Sequence, residues 1–380
     1  MTSTPSSTHH PTYIDYQAGT IPLILSAPHG GTAKPDHLPN RHASQGSLKS
    51  DMRTRELTLE LADELELILN DDASTNTKKH RVFVVSNHLH RSKVDVNRGA
   101  LEEAVPFCFV EHENDNGETT STRHDMNTST AILAKTSNDS TNTNSTNRLL
   151  QKKKKEAHPE SLNIYNEYHT CLQRACDAAL NLKLTTTTTT TTSPTSSSTN
   201  KQQRQYSDTC TTHKLNKHRW PRALLLDIHG HAHPEGWIEI GHLIAKESLI
   251  SSTKHNDDDD SDSELICCSE NNIHFHPQLI RSKYSLGAFM NKQQQQVDYD
   301  ANANAVHVDV VPSPNIPHPG DAGSYLMGGY ITRWYRSTSR SLYSMQLELP
   351  PAVRMEDRCV SVRWLALAIV EFMRAWDIIL

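Results

Sequence analysis

Short apolar runs alternate along this chain with longer segments whose apolar residues recur at helical spacing. The apolar runs have the length of strands and are at 21–27, 81–86, 223–228, 237–244 and 342–349. The longer segments are at 53–70, 161–184 and 357–379. Ser50 or Asp51 is placed to cap the first of these helices, in which Leu57, Leu61 and Leu65 lie about one turn apart. Because alternating strands and helices are typical of parallel βαβ units with helices on both faces, the sequence predicts a three-layer α/β fold.

Polar tracts of low complexity interrupt this alternation at about 112–158, 185–218, 253–264 and 291–304. One of them contains a run of eight threonines. Tracts of this composition cannot bury enough apolar surface to offset the entropy lost on ordering, so we expect disordered insertions. The motifs described below lie on both sides of the tracts. We therefore predict a single domain at 19–380, preceded by a disordered N-terminus at 1–18.

Composition argues against several classes of protein. The net charge is −6 with 38 Lys and Arg residues, which gives no reason to expect nucleic acid or an anionic membrane as a partner. The seven cysteines lack the spacing of a secreted disulfide scaffold. We see neither a signal-peptide pattern nor an apolar run near the ~18 residues that a membrane span needs. We expect a cytoplasmic protein that acts on a small molecule, and the sequence leaves its oligomeric state open.

Four of the strand-like runs lead to residues that can act on a metal or an acyl group. These residues are His29, Arg91 with Arg98, His229 with His231, and Glu348. In open α/β sheets, the loops that leave the carboxyl ends of the strands converge on the ligand. Imidazole is the commonest protein ligand of transition metals, and a carboxylate beside a metal can act as a general base toward water. If the strands bring these residues to one edge of the sheet, the pattern predicts a metal-dependent hydrolase.

The histidine-rich segment DIHGHAH at 227–233 is the strongest local signal. Alternate side chains of an extended backbone share a face, so at least two of His229, His231 and His233 can point into one site. Asp227 is placed to accept a hydrogen bond from a ligating ring. The alternative is a polar loop whose histidines have no common function.

The two arginines and Glu348 can also be interpreted as structural residues without a catalytic role. Arg91 and Arg98 flank Asp95 and Asn97, and a planar guanidinium suits a substrate carboxylate or a scissile carbonyl. A structural Arg–Asp pair would produce the same pattern. Glu348 lies within an apolar run, where a carboxylate is costly unless it is paired or functional. A buried ion pair without a catalytic part is therefore the alternative for Glu348.

Taken together and in this order, the segments resemble the N-formylglutamate amidohydrolase family. The resemblance is carried by SAPHGG at 26–31, SDMRTREL at 50–57, RSKVDVNRG at 91–99, LDIHGHAHPEGWIEIG at 226–241, and GGYITRWYRS with QLELP at 328–350. The family is similar in fold to the zinc carboxypeptidases and aspartoacylases. The resemblance therefore implies a zinc exopeptidase-like fold, with a mixed, mainly parallel sheet between helices and one catalytic Zn²⁺.

The resemblance also implies a set of metal ligands. His29, Asp51 and His229 would bind the zinc ion and leave one coordination position open. The related carboxypeptidases carry their acidic ligand three residues after the first histidine, where this chain has Thr32. The carboxylate would therefore come from Asp51 or from Glu56, and we favour Asp51. The segment is also richer in histidine than the simplest family motif, so His231 is an alternative to His229.

The remaining implied roles concern catalysis and the substrate. Glu348 would activate the zinc-bound water, and Arg98 would polarise the amide carbonyl or hold a substrate carboxylate. The residues expected to contact the substrate are Arg91, Arg333, His231 and Asn97. The implied reaction is hydrolysis of an N-acyl amide, most simply N-formyl-L-glutamate or a similar N-acyl acidic amino acid, to the amino acid and a short carboxylic acid. The alternatives are a zinc carboxypeptidase or deacylase with another substrate, and a non-catalytic ligand-binding descendant of the fold.

Overall fold

The computed structural model describes most of the chain outside the polar tracts. The described residues are 12–71, 79–110, 154–182, 221–251, 266–268, 273–275, 277–301, 307–339, 341–355 and 358–379. The predicted insertions at 185–218 and 253–264 lie outside these ranges, as do 112–153 of the first insertion and 302–304 of the last.

Strands and helices alternate over the described residues as the sequence pattern predicts. The strands are β1 (Ile14–Gln17), β2 (Leu23–Ala27), β3 (Phe83–Asn87), β4 (Phe107–Val110), β5 (Lys154–Ala157), β6 (Ala223–Gly230), β7 (Ile238–Gly241), β8 (Ile266–Cys268), β9 (Ile273–Phe275), β10 (Val310–Val311) and β11 (Leu342–Leu349). The helices are α1 (Thr54–Asp71), α2 (Leu101–Ala104), α3 (Pro159–Asn181), α4 (Lys246–Ser251), α5 (Pro277–Arg281), α6 (Leu286–Ala301), α7 (Tyr330–Thr338), α8 (Pro351–Arg354) and α9 (Arg358–Ala375). A short 3₁₀ turn covers Ala43–Gln45.

A seven-stranded sheet organises the molecule, with the strand order β1-β3-β2-β6-β11-β7-β10. The central strands β3, β2, β6 and β11 are parallel, whereas β1 runs antiparallel to β3 and β7 runs antiparallel to β11. The strands β4 with β5, and β8 with β9, form two separate antiparallel pairs. The prediction of an α/β fold with a mixed, mainly parallel sheet between helices is confirmed.

The two faces of the sheet bury different cores. Leu226 and Ile228 of β6 belong to the core shared with α1, α6 and α9, whereas Leu225 belongs to the core shared with α3 and α7. Successive side chains of a strand point to opposite faces, so Asp227 and His229 lie on the same face as Leu225. β11 is parallel to β6 with Glu348 opposite His229, which places Glu348 on that face as well. The catalytic candidates of β6 and β11 therefore face the side of the sheet that carries α3 and α7.

The structure corrects the predicted boundaries of the disordered segments in three places. Residues 14–17, expected to be disordered, form β1, because its backbone pairs with β3 and Ile14 is buried. Residues 154–157, placed in the first insertion, form β5 and pair with β4. Residues 291–301, placed in the last insertion, continue α6.

The polar run in α6 is ordered because its amide side chains find partners in the protein. Gln294 donates from Nε2 to the carbonyl of Val308 at 3.0 Å, and its Oε1 accepts from Val308 N at 2.8 Å. Asn291 donates from Nδ2 to Ser313 Oγ at 3.2 Å. Buried amides are tolerated when they are hydrogen-bonded, and low apolar content is therefore a poor guide to disorder here.

Among the described helices, none is both long enough and apolar enough to span a bilayer. The longest helices, α1, α3 and α9, instead contribute to the two cores that flank the sheet.

Candidate metal centre and catalytic site

His29 lies directly after β2, at the carboxyl end of the sheet, and is almost completely buried. Two glycines follow it because there is no room for side chains at these positions. A Cβ atom on Gly30 would lie 2.2 Å from the backbone nitrogen of Arg55, and one on Gly31 would lie 2.2 Å from the carbonyl carbon of His88. The diglycine therefore lets the loop pass close to the start of α1 and to the end of β3.

Asp51 reaches the same place from the loop that precedes α1. Its backbone N–H donates to the carbonyl of His29 at 3.1 Å, and its Oδ2 accepts from the backbone N–H of Gly230 at 3.2 Å. Asp51 Oδ2 lies 3.4 Å from Nδ1 of His29 and 3.1 Å from Nδ1 of His229. These three residues, here called the ligand cluster, come from three separate segments of the chain.

Neither residue expected to cap α1 does so with its side chain. The carboxylate of Asp51 faces the histidines instead, and Ser50 Oγ donates to the carbonyl of Gly31 at 3.0 Å. Ser50 Oγ also accepts from the backbone N–H of Arg91 at 3.0 Å. The two side chains therefore tie the loop before α1 to the ends of β2 and β3.

Both rings of the ligand cluster are held from behind by buried aspartates. His29 Nε2 lies 2.7 Å from Asp95 Oδ1, and His229 Nε2 lies 2.9 Å from Asp227 Oδ2. If each Nε2 carries the proton and donates it to the carboxylate, each Nδ1 presents its lone pair to the centre of the cluster. A carboxylate that fixes the tautomer and orientation of an imidazole is the usual environment of a metal-ligating histidine.

The donor atoms of the ligand cluster fit a divalent cation. One nitrogen or oxygen from each residue lies within 4.8 Å of the others. Nδ1 of His29 is buried and has no hydrogen-bond partner in the described structure, which is costly unless a ligand occupies the site. Burial raises the pKa of Asp51, but the imidazoles of His229 and His29 beside its carboxylate outweigh burial and hold that pKa well below its ordinary value. An ionised carboxylate with two imidazoles is a donor set typical of a catalytic zinc site.

The sequence leaves two choices open, one for the carboxylate ligand and one for the second histidine ligand, and the structure favours one residue in each. Asp51 lies beside the two histidines, and Glu56, in the first turn of α1, is not in this group. His229, and not His231, joins His29 and Asp51.

His231 belongs to a second group with His233 and Glu239, here called the loop cluster. Its ring is already satisfied by the backbone, because Nε2 lies 2.9 Å from the carbonyl oxygen of Trp237 and Nδ1 accepts from His233 N at 3.0 Å. Glu239 accepts from Leu326 N at 2.6 Å, and its Oε1 lies 2.6 Å from His233 Nδ1. These hydrogen bonds link β7 to the loop that follows β6 and to the loop that precedes α7.

Glu348 lies at the carboxyl end of β11 and is 4% exposed. Its Cα pairs with that of His229 on one side and with that of Glu239 on the other. Gln346 donates from Nε2 to Glu348 Oε1 at 2.5 Å. Burial raises the pKa of Glu348, and the negative charges of Asp51 and Glu239 act in the same direction against the opposing effect of His229. A carboxyl group with a raised pKa beside a metal site is suited to take up and release a proton.

The two predicted arginines meet at Asp95, which is completely buried. Arg91 Nε donates to Asp95 Oδ2 at 2.8 Å, and Arg98 Nε lies 3.4 Å from the same oxygen. Arg91 Nη1 is also 3.9 Å from Asp51 Oδ1, whereas the other ion-pair contact of Arg98 is with Glu103 at 3.8 Å. The Arg–Asp pair that the sequence offered as an alternative is therefore present, and it lies against the ligand cluster.

Asn97 connects the site to α7. Its Nδ2 lies 3.2 Å from His229 Nε2, and its Oδ1 accepts from Ile331 N at 2.8 Å. A Cβ atom on Gly329 would lie 2.3 Å from the Asn97 amide nitrogen, so the start of α7 packs directly on this side chain. Arg333 is in the first turn of α7 and is partly buried. The substrate contacts expected of Asn97 and Arg333 stay predictions.

Sequence reasoning missed Asp95 and two deeper residues as parts of the site. Ser26 Oγ donates to Asp227 Oδ1 at 2.6 Å and lies 2.7 Å from the hydroxyl oxygen of Tyr168. The sequence indicates Asp95 only as a neighbour of the two arginines. A signal for Asp95 was present, since it is an acidic residue just beyond a strand and beside the predicted site, but nothing in the sequence pairs it with His29.

Comparison with known proteins identifies the class that this fold and site define. The family model described as N-formylglutamate amidohydrolase matches residues 21–237, which is more than half of the 380-residue chain. The chain therefore belongs to the N-formylglutamate amidohydrolase family and is a hydrolase of that type. The matched range contains the ligand cluster, Arg91 and Arg98, whereas Glu348 and Arg333 lie beyond it.

Among solved structures, a crystal structure of N-formylglutamate amidohydrolase from Ralstonia eutropha JMP134 is similar to this chain. The alignment has 10% sequence identity and a TM-score of 0.39, and it covers 97% of this chain and 98% of the other. No curated protein sequence matches the chain.

Proposed function

We propose that this protein is a zinc-dependent amidohydrolase that cleaves N-formyl-L-glutamate or a similar N-acyl acidic amino acid. The observation that carries the proposal is the convergence of His29, Asp51 and His229, with the buried Nδ1 of His29 left unpartnered. Membership of the N-formylglutamate amidohydrolase family supports the type of reaction. The zinc exopeptidase-like character of the fold is part of the same proposal.

The ligand cluster would hold one Zn²⁺. Two imidazoles and one carboxylate supply three protein ligands, the number found at catalytic zinc sites that keep a position open. When bound, the cation would lower the pKa of water and polarise the acyl carbonyl. Asp95 and Asp227 would keep the two rings in the tautomer that presents Nδ1 to the cation.

Glu348 would act as the general base and then as the general acid. Its carboxylate would accept a proton from the attacking water and return a proton to the nitrogen of the leaving amine. Its position opposite His229 in the sheet and its raised pKa support this role. The acyl C–N bond breaks, and water supplies the new oxygen of the short acid. The amino acid leaves as the amine, because its nitrogen receives the proton that Glu348 returns.

Arginines would orient the acidic substrate. Arg91 and Arg98 lie on one side of the ligand cluster and share Asp95, and Arg333 lies in the first turn of α7. A guanidinium can hold a carboxylate through two parallel hydrogen bonds or polarise a carbonyl oxygen. His231 and Asn97 would support the substrate pocket from the loop after β6 and from beside α7.

The proposal is tested with a substrate panel. Purified, zinc-loaded protein is assayed with N-formyl-L-glutamate, N-formyl-L-leucine, N-acetyl-L-glutamate and a short peptide ending in glutamate. We expect hydrolysis of the N-formyl acidic compound to be fastest, to stop on addition of a chelator, and to return with Zn²⁺. Glu348→Gln should lower kcat by about 10²- to 10⁴-fold, the usual contribution of a general acid–base group.

The panel also separates the competing activities. Preference for the peptide would indicate a carboxypeptidase, and preference for N-acetyl-L-glutamate would indicate a deacylase. Activity that survives both the chelator and Glu348→Gln would refute the mechanism. Absence of hydrolysis with every compound, despite bound zinc, would favour a ligand-binding protein.

A further inference from the structure

Arg354, which follows β11 in the short helix α8, contacts three of the segments that build the proposed metal site. Arg354 is buried, with 6% of its surface exposed to solvent. Nε donates to the carbonyl of Leu349 at 2.9 Å, Nη2 donates to the carbonyl of His231 at 3.0 Å, and Nη1 donates to the carbonyl of Met52. Arg354 is outside the range that matches the family model.

Each of the three carbonyls is close in the chain to a proposed functional residue. Met52 follows Asp51, Leu349 follows Glu348, and His231 lies two residues after His229. The segments come from the loop before α1, from β11 and from the end of β6, which are far apart in sequence. One guanidinium therefore joins the three segments that carry the two carboxylates and the imidazole.

The local backbone is shaped around this guanidinium. A Cβ atom on Gly230 would lie 2.5 Å from Arg354 Nε and 2.6 Å from Cζ, so the side chain can lie against β6 only because residue 230 is glycine. On the other side, Arg53 has a φ of 67°, a left-handed conformation that is unfavourable for a residue with a side chain. The bond from Arg354 to the carbonyl of Met52 holds the backbone directly before this unfavourable turn.

We propose that Arg354 is a positioning residue, which sets the location of Asp51 relative to His229 and Glu348 by binding the carbonyls of Met52, His231 and Leu349. The inference rests on the proposed function, because it concerns the same metal ligands and the same general base. Burial lowers the pKa of Arg354, whereas the carboxylates of Asp51 and Glu348 favour its charged form.

The test uses Arg354→Lys, which keeps the charge and loses the fork that reaches three carbonyls. Arg363→Lys is the matched control, since Arg363 is a half-exposed arginine of α9 that pairs with Glu64. Amide hydrogen exchange of the metal-free proteins, Zn²⁺ affinity by chelator competition, and kcat and KM are measured for both variants and for the unmodified protein.

We expect Arg354→Lys to speed exchange at 50–53 by at least about 10-fold while exchange in α3 and β2 stays unchanged. Zn²⁺ affinity should fall by about 10- to 100-fold, the range for residues that orient metal ligands. At saturating Zn²⁺, kcat should fall more than KM rises, since Asp51 and Glu348 would be displaced from each other. Bound Co²⁺ should show visible absorption bands shifted from those of the unmodified protein.

The contrary results are equally specific. Unchanged exchange at 50–53 and unchanged Zn²⁺ affinity would overturn the proposal, as would faster exchange spread evenly over the whole chain, which indicates a general loss of stability. If Arg354→Lys does not fold, Gly230→Ala repeats the test, because the added methyl group displaces the guanidinium. The exchange measurement needs no metal, so it judges Arg354 even if the unmodified protein neither binds Zn²⁺ nor hydrolyses an amide, which would refute the proposed function alone.

Discussion

The ligand cluster and the loop cluster contain the same kinds of residue and differ in what their ring nitrogens do. Each has two histidines and one carboxylate within reach of a single ion. In the ligand cluster, both Nε2 atoms lie against aspartates and Nδ1 of His29 has no partner among the described residues. In the loop cluster, both nitrogens of His231 are engaged by backbone groups, and Glu239 is shared between His233, Trp237 and Leu326.

The contrast shows that proximity alone does not distinguish a metal site from a hydrogen-bonded network. An imidazole has one lone pair and one N–H when it is neutral, so a ring that already accepts and donates has nothing left for a cation. By this criterion His29 keeps a ring nitrogen available to a cation and His231 does not, which favours the ligand cluster over the loop cluster as the metal site. The two groups lie on neighbouring segments, which makes them a controlled comparison within one molecule.

The largest expected effect comes from removing His29. His29→Ala deletes one proposed zinc ligand, so we expect bound zinc to fall from about one ion per chain to none and amide hydrolysis to be lost. Metal content of the dialysed protein, measured by elemental analysis, checks this prediction. His37→Ala is the matched control, because the His37 side chain is half-exposed and pairs with Glu160 on the surface. Full metal content in His29→Ala would show that the ligand cluster does not bind the zinc ion.

A smaller effect is expected at the aspartate behind that ring. Asp95→Asn can present an N–H to His29 Nε2, which would favour the tautomer with the proton on Nδ1 and weaken metal binding by about 10- to 100-fold. Chelator competition measures the change in affinity. Asp15→Asn is the control, since Asp15 Oδ2 lies 2.6 Å from Nε2 of His88, which is not a residue of the ligand cluster. Equal affinity in the two variants would show that Asp95 does not orient the ligand.

The arginines should affect the substrate more than the metal. Arg98→Lys keeps the charge and loses the planar fork, and the loss of one charge-assisted hydrogen bond of about 1.5 kcal/mol predicts about a 10-fold fall in kcat/KM. Zinc content should stay unchanged. Steady-state kinetics with N-formyl-L-glutamate check the prediction, with Arg363→Lys as the surface control. If an N-formyl amino acid with an uncharged side chain suffers the same fall, Arg98 acts on the carbonyl or on the α-carboxylate and not on the side-chain carboxylate.

The smallest effect on metal binding is expected in the loop cluster. His233→Ala removes one hydrogen bond from Glu239, so the free energy of unfolding should fall by about 1 kcal/mol, as measured by urea denaturation of the metal-free protein. Zn²⁺ affinity should stay within about twofold, because no ligand is touched. A loss of affinity comparable to that of His29→Ala would make the loop cluster a metal site and reverse the comparison.

Much of the fold and the centre of the site could be predicted from the sequence. The apolar runs at 223–228 and 342–349 became β6 and β11, because continuous apolar strands are typical of a buried parallel sheet. His29 and His229 could be placed together because both lie at the carboxyl ends of such strands. Asp51 needed the family resemblance, since a residue before a helix reads as a cap.

The rest depended on tertiary contacts that leave little trace in composition. The polar run in α6 reads as disordered, yet Gln294 and Asn291 are buried against the backbone of Val308 and the side chain of Ser313. Arg354 reads as one more surface arginine at the start of a helical stretch. Its proposed role depends on three carbonyls that only the folded chain brings together. The local sequence around Arg354 does not predict these contacts.

The most direct test of the account is the position of the metal ion itself. A crystal of the zinc-loaded protein, measured on both sides of the zinc absorption edge, gives an anomalous difference map that locates zinc independently of the protein atoms. We predict one peak, coordinated by His29 Nδ1, His229 Nδ1 and an oxygen of Asp51, with Glu348 beside the open position. A peak between His231, His233 and Glu239, or no peak at either cluster, would contradict the account.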